Sequence, residues 1–280
     1  MIIAIASGKG GTGKTTISVG LAWALGSSAV LLDCDVEEPN AHIFLAPEFQ
    51  ESESVNLLVP LVDESKCTGC GLCGKICRYN AIAMLNQKPL VFSEMCHACG
   101  GCALVCPVGA ISEVPRAIGV VERGFAGAVE FVHGRLNIGQ VFAPPLIRAV
   151  RKYAKADKIT IVDSPPGTSC PVIAAIRGSD FVILATEPTP FGLHDLTLAV
   201  EMTRALKIPF GVAVNRVGIG DDRVRRYCAE QNIPIVLEIP DDRRIAEAYS
   251  RGEFLTDAAP EYGALFKALP ERLANMARGC

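Results

Sequence analysis

The sequence of 280 residues has no apolar run long enough to span a membrane. The nearest candidate, residues 172–184, is interrupted by Arg177, Ser179 and Asp180. Basic charge is not in excess either, because 27 Lys and Arg residues stand against 30 Asp and Glu residues. A net charge of −3 does not indicate a broad electrostatic surface for nucleic acid. We therefore expect neither a membrane nor a nucleic acid among the partners.

A basic segment before the first apolar residues is also lacking. Residues 1–7 run directly into a glycine motif, so we expect a strand there rather than a signal peptide, and a cytoplasmic protein. Without secretion, the 12 cysteines do not indicate a disulfide framework. Eight of them lie between Cys67 and Cys106, and clustered thiols in such a chain more often bind metal. The four histidines show no metal-ligand spacing.

Half of the residues are hydrophobic, which is enough for a sizeable core. Apolar runs alternate with segments of helical spacing, which predicts an α/β protein with a doubly wound, mostly parallel sheet. In such sheets, ligands bind beyond the carboxyl ends of the strands. The predicted strands are residues 2–7, 29–33, 158–163, 181–185, 210–215 and 235–239, and the clearest helices are 15–25, 145–154 and 193–206.

The alternation fails over residues 60–118, which are rich in Cys and Gly. We therefore predict a first part of the main domain at 1–59, a small inserted α+β domain at 60–118, and the second part at 119–280. The alternation at 129–133 predicts a hairpin that returns to the main sheet. Residues 262–278 have helical spacing, interrupted by Pro270, and their expected role is packing on the sheet.

Residues 8–15 match the pattern G-x-x-x-x-G-K-[ST], after a predicted strand and before a predicted helix. Glycines allow successive backbone N–H groups to curl around a phosphate, and the amino end of the helix adds positive potential. Lys14 would reach the β- and γ-phosphates, and the Thr15 hydroxyl would hold Mg²⁺. The predicted nucleotide-binding residues of this loop are Gly8, Gly10, Gly11, Thr12, Gly13, Lys14, Thr15 and Thr16.

The cysteines of residues 60–118 form a repeat with the pattern C-x₂-C-x₂-C-x₃-C, which is the bacterial ferredoxin run for two [4Fe–4S] clusters. In this pattern the fourth cysteine of each run ligates the other cluster. One predicted set is Cys67, Cys70, Cys73 and Cys106, and the other is Cys77, Cys96, Cys99 and Cys102. Two zinc sites are the alternative, although zinc sites usually show paired C-x₂-C units. Arg78 departs from the pattern, in which proline follows the fourth cysteine.

The additional lysine of residues 9–16 resembles the deviant Walker A loop of the MinD/ParA/Mrp family, which includes the nitrogenase iron protein. The resemblance continues at 33–35, 161–167 and 214–216. It implies that Lys9 reaches across a dimer interface and that Asp35 orients the attacking water. It also implies that Asp163 binds Mg²⁺ through water, that Gly167 senses the γ-phosphate, and that Asn215 contacts adenine. With Lys14, the residues Lys9, Asp35 and Asp163 form the predicted catalytic set.

Two of these residues have plainer interpretations. Asp35 follows a strand, where a carboxylate can simply cap the next helix. Arg216 is expected to be a solvated loop charge. Of the remaining cysteines, we expect Cys34 and Cys228 to be buried small residues and Cys280 to be terminal. A structural thiol is favoured for Cys170, with a redox or metal role as the alternative.

The resemblance implies an ATPase that uses ATP, Mg²⁺ and two [4Fe–4S] clusters to couple nucleotide state to electron transfer or metal-cofactor assembly. It implies an ATP-dependent homodimer, or a heterodimer with a related chain, and a redox or metal-cofactor protein as partner. One alternative is an Fe–S cluster carrier of the Mrp type, in which the clusters are cargo. The other is a positioning ATPase like MinD or ParA.

Overall fold

The computed structural model describes residues 1–253, 256 and 259–278. In that part of the chain, a nine-stranded sheet has the order β11-β10-β9-β1-β8-β2-β7-β6-β3. The first seven strands of this order are parallel to one another. The last two, β6 and β3, are each antiparallel to the strands beside them. The strands of this sheet are β1 (Ile2–Ala6), β2 (Ala29–Asp33), β3 (Glu48–Val62), β6 (Ile111–Ala126), β7 (Val129–Leu136), β8 (Ile159–Asp163), β9 (Phe181–Thr186), β10 (Phe210–Val217) and β11 (Ile235–Pro240).

Two apolar layers cover the sheet, one on each face, as the doubly wound fold predicts. Alternating residues of β1 divide between them, because Ile3 and Ile5 face one layer and Ala4 and Ala6 face the other. Helices α1, α2 and α10 contribute to the first layer and helices α5 to α8 to the second. The helices are α1 (Lys14–Leu25), α2 (Ala41–Leu45), α3 (Leu72–Ile76), α4 (Gly101–Leu104), α5 (Pro144–Arg151), α6 (Cys170–Ile176), α7 (Pro190–Ala205), α8 (Arg223–Glu230), α9 (Arg243–Ser250) and α10 (Glu261–Arg278).

The six predicted strands and three predicted helices are all present, with shifts of a few residues at their ends. The predicted interruption by Pro270 is wrong, because α10 continues through this residue. Its apolar face packs in the first layer, where Phe266 and Leu269 are fully buried. Among the helices of the described residues, none combines the length and the hydropathy that a membrane crossing requires.

The predicted hairpin at residues 129–133 is confirmed. Strands β6 and β7 pair in antiparallel fashion around Gly127, and β7 joins β2 in parallel. Strand β3 then adds to β6 over its full length. Both strands run without a break through residues 60 and 118, so the proposed division of the chain cuts across a continuous ladder.

The cysteine-rich segment, defined here as residues 60–118, projects beyond the carboxyl edge of the parallel strands. Strand β7 ends at Leu136, which pairs with Gly119, whereas β3 and β6 continue pairing as far as Val62 and Ile111. The segment also contains α3, α4 and a hairpin of β4 (Ile82–Leu85) and β5 (Lys88–Val91). Nucleotide loops occupy the same edge in folds of this type, so the segment lies on the side of the sheet where function is expected.

Candidate nucleotide and cysteine sites

The glycine loop joins β1 to α1 at the carboxyl edge. Gly13 has a left-handed φ of 90°, and a Cβ there would collide with the side chain of Asn215. A Cβ on Gly8 would collide with the backbone of Asp195 in α7. The loop is therefore enclosed by α7 on one side and by the end of β10 on the other, and glycine is required at both positions.

Asn215 and Gly167 are hydrogen-bonded to this loop. The Asn215 side-chain amide donates to the carbonyl oxygen of Thr12 at 3.1 Å, and the Gly167 N–H donates to the carbonyl oxygen of Ser7 at 3.0 Å. The structure thus brings together the glycine loop, the segment after β8 and the end of β10, which the sequence had associated only through separate motifs.

Three aspartates lie where β2 and β8 end. Asp33 and Asp163 are paired across the two strands, and both are buried. The Asp33 carboxylate accepts the backbone N–H groups of Asp35 at 3.1 Å and Ala41 at 3.2 Å. Asp33 therefore holds the start of α2, and Asp35 is left to line the cavity. The interpretation of Asp35 as the helix cap is wrong, because Asp33 supplies that contact.

Burial dominates the electrostatics of this edge. It raises the pKa of Asp163 to about 6, and the nearby Thr15 hydroxyl and Lys14 ammonium offset it only in part. It also raises the pKa of Asp35 to about 7, with the Asp163 carboxylate adding to the effect. Burial lowers the pKa of Lys14. A cation bound beside these carboxylates would favour their ionised forms.

Both carboxylate oxygens of Asp163 are buried without a hydrogen bond of standard geometry in the part of the chain that the structure describes, and the hydroxyls of Thr15 and Ser18 lie beside them. Buried polar atoms of native proteins are almost always satisfied, so orphaned oxygens point to a missing ligand. Thr15 adjoins this carboxylate and adds a hydroxyl oxygen. Hard oxygen donors beside a phosphate loop suit Mg²⁺, and these residues fit that ion.

A cavity of about 420 Å³ opens in front of the loop, a size typical of small-molecule sites. Its lining includes residues that sequence reasoning missed, namely Glu38 and Asn40 before α2 and Asp241, Asp242 and Ile245 after β11. In the sequence, the one feature that could have indicated these residues is their position shortly after a predicted strand. The full lining is Gly10, Gly11, Gly13, Lys14, Thr15, Thr16, Asp35, Glu38, Asn40, Pro166, Asn215, Arg216, Pro240, Asp241, Asp242 and Ile245.

Lys9 and Arg216 share one acidic partner that the sequence did not reveal. The Lys9 ammonium lies 3.5 Å from one carboxylate oxygen of Glu187, and the Arg216 guanidinium lies 3.1 Å from the other. Glu187 follows the last residue of β9 and is buried. Arg216 is exposed, which agrees with the expectation of a solvated charge, and its guanidinium also pairs with Glu187. Lys9 is one-third exposed, so it remains accessible from solvent.

The two halves of the cysteine repeat have the same local structure. Gly71 and Gly100 both adopt left-handed φ, at 76° and 72°, and each precedes a short helix, α3 or α4. The segment encloses two small cavities. One is lined by Cys67, Cys70, Cys73 and Cys106, and the other by Cys77, Cys96, Cys99 and Cys102. Each cavity therefore receives three thiols from one half and the fourth from the other half.

The cysteine environments differ in their electrostatics. Backbone N–H groups, with that of Ala110 first, lower the pKa of the Cys106 thiol, and Ala110 N lies 3.2 Å from its Sγ. Burial raises the pKa of Cys73, Cys96 and Cys102. In the described residues, no group of three or more His, Cys, Asp or Glu side chains can hold a single metal ion. A cube that takes one thiolate per iron instead needs four thiols spaced around a cavity, and both cavities offer that donor set.

Of the four other cysteines, the three that the structure describes do not line either cavity. Cys34 and Cys228 are buried in the second apolar layer, as expected. Cys170 is the first residue of α6 and is exposed, so it does not contribute to the core. Cys280 lies outside the described residues.

Comparison with known proteins gives matches over nearly the whole chain. A model of the CobQ/CobB/MinD/ParA nucleotide binding domain matches residues 3–255. The uncharacterized protein MJ0579 of Methanocaldococcus jannaschii is 32% identical over 265 residues, which is 90% of each chain. The septum site-determining protein MinD of Pyrococcus horikoshii, solved with Mg-ADP, has a TM-score of 0.58 and 23% identity, covering 99% of this chain and 98% of that one. An iron-sulfur cluster carrier protein of Synechocystis is 44% identical over 68 residues, which is 21% of this chain and 19% of that protein.

Proposed function

The chain belongs to the CobQ/CobB/MinD/ParA nucleotide-binding family, and we propose that it is an ATPase that carries two [4Fe–4S] clusters and couples its nucleotide state to electron transfer or metal-cofactor assembly. The observation that carries this proposal is the pairing of a complete phosphate-loop cavity with two cavities that are each lined by four thiols. Both kinds of cavity lie at or beyond the carboxyl edge of the same sheet.

The ATP half of the proposal follows from the charges around the 420 Å³ cavity. The triphosphate would lie against the glycine loop, with Lys14 neutralising its β- and γ-phosphates. Thr15 and Asp163 would hold Mg²⁺, which supplies the positive charge that phosphoryl transfer requires. Asp35 would orient the attacking water. Asn215 and residues 240–242 would surround the base and the sugar.

Lys9 supports a dimer in this proposal. Its ammonium is accessible, and among the described residues its ion-pair partner is Glu187, which Arg216 also neutralises. Lys9 could therefore move to the nucleotide of a second subunit without leaving Glu187 unpaired. We propose that ATP promotes a homodimer, or a heterodimer with a related chain, on this edge.

The thiols of the two cavities fit the [4Fe–4S] donor set. Cys67, Cys70, Cys73 and Cys106 would hold one cluster, and Cys77, Cys96, Cys99 and Cys102 the other. Such clusters supply one-electron redox chemistry. The protein's part is to fix the donor positions, to donate N–H groups to sulfur, as Ala110 does for Cys106, and to limit the access of water.

A cluster carrier is the second candidate, and the partial match to the iron-sulfur cluster carrier protein of Synechocystis favours it. In that case the clusters would be cargo passed to a recipient. Eight thiols divided between two cavities support resident clusters more strongly than labile ones, because each cluster would be held by four protein ligands. A positioning role has less support, because the apolar face of α10 is used in the core.

The decisive experiment is anaerobic purification followed by iron, sulfide and ATPase assays. The proposal predicts about eight irons per chain, from four per cluster, together with ATP hydrolysis. Transfer of iron and sulfide to an apo-ferredoxin, faster with ATP, would favour the carrier. Zinc in place of iron, or iron-loaded protein that neither binds nor hydrolyses ATP, would overturn the proposal.

A further inference from the structure

The two halves of the cysteine repeat differ in charge. At the repeat spacing of 29 residues, Lys75 corresponds to Leu104 and Arg78 corresponds to Pro107. The first half thus has two cations around Cys77 where the second half has none around Cys106. Because the cysteines themselves match throughout, ligation does not explain this difference.

Lys75 and Arg78 are also the free cations of the cysteine-rich segment. The other three cations of the segment form ion pairs, which join Lys66 to Asp63 at 3.2 Å, Lys88 to Glu64 at 2.7 Å and Arg116 to Glu94 at 3.5 Å. Across the described part of the chain, no carboxylate lies within ion-pair distance of Lys75 or Arg78, and both are exposed. These two cations therefore have no carboxylate partner on a chain whose net charge is −3.

Apolar side chains surround the two cations. Leu72, Ile76 and Tyr79 are each more than 40% exposed. Tyr79 stacks on His97 at 3.7 Å between ring centroids, and the other contact of the His97 ring is with Phe142, at 4.0 Å and tilted by 31°. Tyr79 is thus the outermost of three rings in contact, and the innermost, Phe142, lies just before α5, outside the cysteine-rich segment.

The same residues adjoin both thiol cavities. Cys73 lines one cavity and Cys77 lines the other, and both lie within residues 72–79. Ile76 and Tyr79 line the second cavity themselves, while Leu72 lines the first. A protein bound to this surface would approach both cavities more closely than one bound to the ATPase part.

We propose that residues 72–79 form the electron-exchange surface of this protein and that they select an acidic redox protein, whose docking face has an apolar centre ringed by carboxylates. The inference rests on the proposed function, because it needs the clusters to be present. Exposed apolar contacts supply the core of such an interface, and unpaired cations at its rim steer and orient an anionic partner. One electron passes at each encounter, so that the donor is oxidised and the acceptor reduced while no bond forms or breaks.

The test uses small oxidants of opposite charge on anaerobically reduced, cluster-loaded protein. Ferricyanide is a trivalent anion and hexaammineruthenium(III) is a trivalent cation. At low ionic strength, Lys75→Gln with Arg78→Gln should slow oxidation by ferricyanide about tenfold and should not slow oxidation by the ruthenium complex. The control, Lys152→Gln with Lys267→Gln, removes the same charge from exposed lysines outside the segment and should change neither rate. The difference should vanish at about 1 M salt, where the screening length is near 3 Å.

A second measurement reports binding instead of turnover. Hexacyanochromate(III) is a paramagnetic anion that should bind at residues 72–79 and speed the relaxation of the EPR signal of the reduced protein. The enhancement should be lost in the double variant and retained in the control. Equal rates and equal enhancement in all three proteins, with equal iron content, would overturn this inference alone. Protein without iron and sulfide would overturn the proposed function as well.

Discussion

At the carboxyl edge of the sheet, where the phosphate loop lies, Lys14, Asp33 and Asp163 are each less than a tenth exposed. In the cysteine-rich segment, by contrast, Cys73 is the only one of the eight cysteines that is buried. The two apolar layers around the sheet hold the side chains of the phosphate-loop cavity in place before any ligand binds. The cysteine-rich segment has only a few buried apolar residues, such as Ala81, Ile82 and Ala110. The comparison teaches that the nucleotide-binding part is preorganised by its core, whereas the cysteine-rich segment has little core of its own to hold its thiols in place.

Removing the clusters should produce the largest effect and should be confined to one region. Binding of a metal group to thiolates is coupled to folding and contributes about 10 kcal/mol or more in small metal-dependent domains. Cluster-free protein should therefore lose hydrogen-exchange protection by at least about a thousandfold across residues 67–106. Protection of β1, β8 and β9 should not change. Equal protection of the segment with and without clusters would show that it folds without them.

Lys14→Ala should impair the nucleotide site and leave the cysteine-rich segment intact. Loss of the only buried ammonium in the phosphate loop should reduce ATP hydrolysis at least about a hundredfold, because this charge offsets the charge that develops on the phosphates. Iron content should remain that of the unmodified protein, since the two sites use separate residues. Lys152→Ala, at an exposed lysine, is the control and should hydrolyse ATP normally. Retained hydrolysis in Lys14→Ala would disprove the assignment of the loop.

Local motifs explain what could be predicted from the sequence. The glycine loop and the cysteine runs are contiguous, and their chemistry fixes their spacing, so they are recognisable without knowledge of the fold. Strand β3 was missed because most of its residues are exposed, and it is held by its ladder to β6 and not by an apolar pattern. Glu187 was missed because its partners Lys9 and Arg216 meet it only across strand ends that are distant in sequence.

The buried carboxylates give the nucleotide-free protein an unusual dependence on pH. In the folded chain the pKa of Asp35 is about 7 and that of Asp163 about 6, above the value of about 3.9 in the unfolded chain. The unfolded state therefore loses these protons first, and the free energy of unfolding should fall as pH rises from about 4 to about 7. We expect a loss of about 1–3 kcal/mol, after allowance for the solvent that reaches Asp35.

Chemical denaturation at a series of pH values measures this slope. Asp163→Asn should flatten it and should make the nucleotide-free protein more stable at pH 8, whereas Asp157→Asn, at an exposed aspartate, should leave it unchanged. Mg-ATP should abolish the slope in the unmodified protein, because the cation favours the ionised carboxylates. Stability that rises with pH over this range would contradict the burial of these groups as the cause.

The smallest expected effect concerns the contacts that join the two regions. The N–H of Leu136 donates to the carbonyl oxygen of Val36 at 2.8 Å, directly after Asp35, and the N–H of Asn137 donates to the carbonyl oxygen of Ile118 at 2.8 Å. The loop that follows brings Phe142 onto His97 in the wall of the second thiol cavity. A change of position at Asp35 thus has a path to that cavity through a backbone hydrogen bond, the loop of residues 137–142 and a ring contact.

We expect ATP to shift the reduction potential of one cluster through this path, with a coupling free energy of about 1–3 kcal/mol. Phe142→Ala should weaken the coupling, because it removes the ring on which His97 rests, whereas Ile138→Ala, at an exposed residue of the same loop, should preserve it. Redox titration by EPR with and without a non-hydrolysable ATP analogue measures one direction. Nucleotide affinity in oxidised and reduced protein measures the other, and the two must agree because coupling between two binding equilibria is reciprocal. If potentials and affinities are the same in all states, the two regions are not coupled within one chain, and nucleotide can act on the cysteine-rich segment only by bringing a second subunit or a redox partner to it.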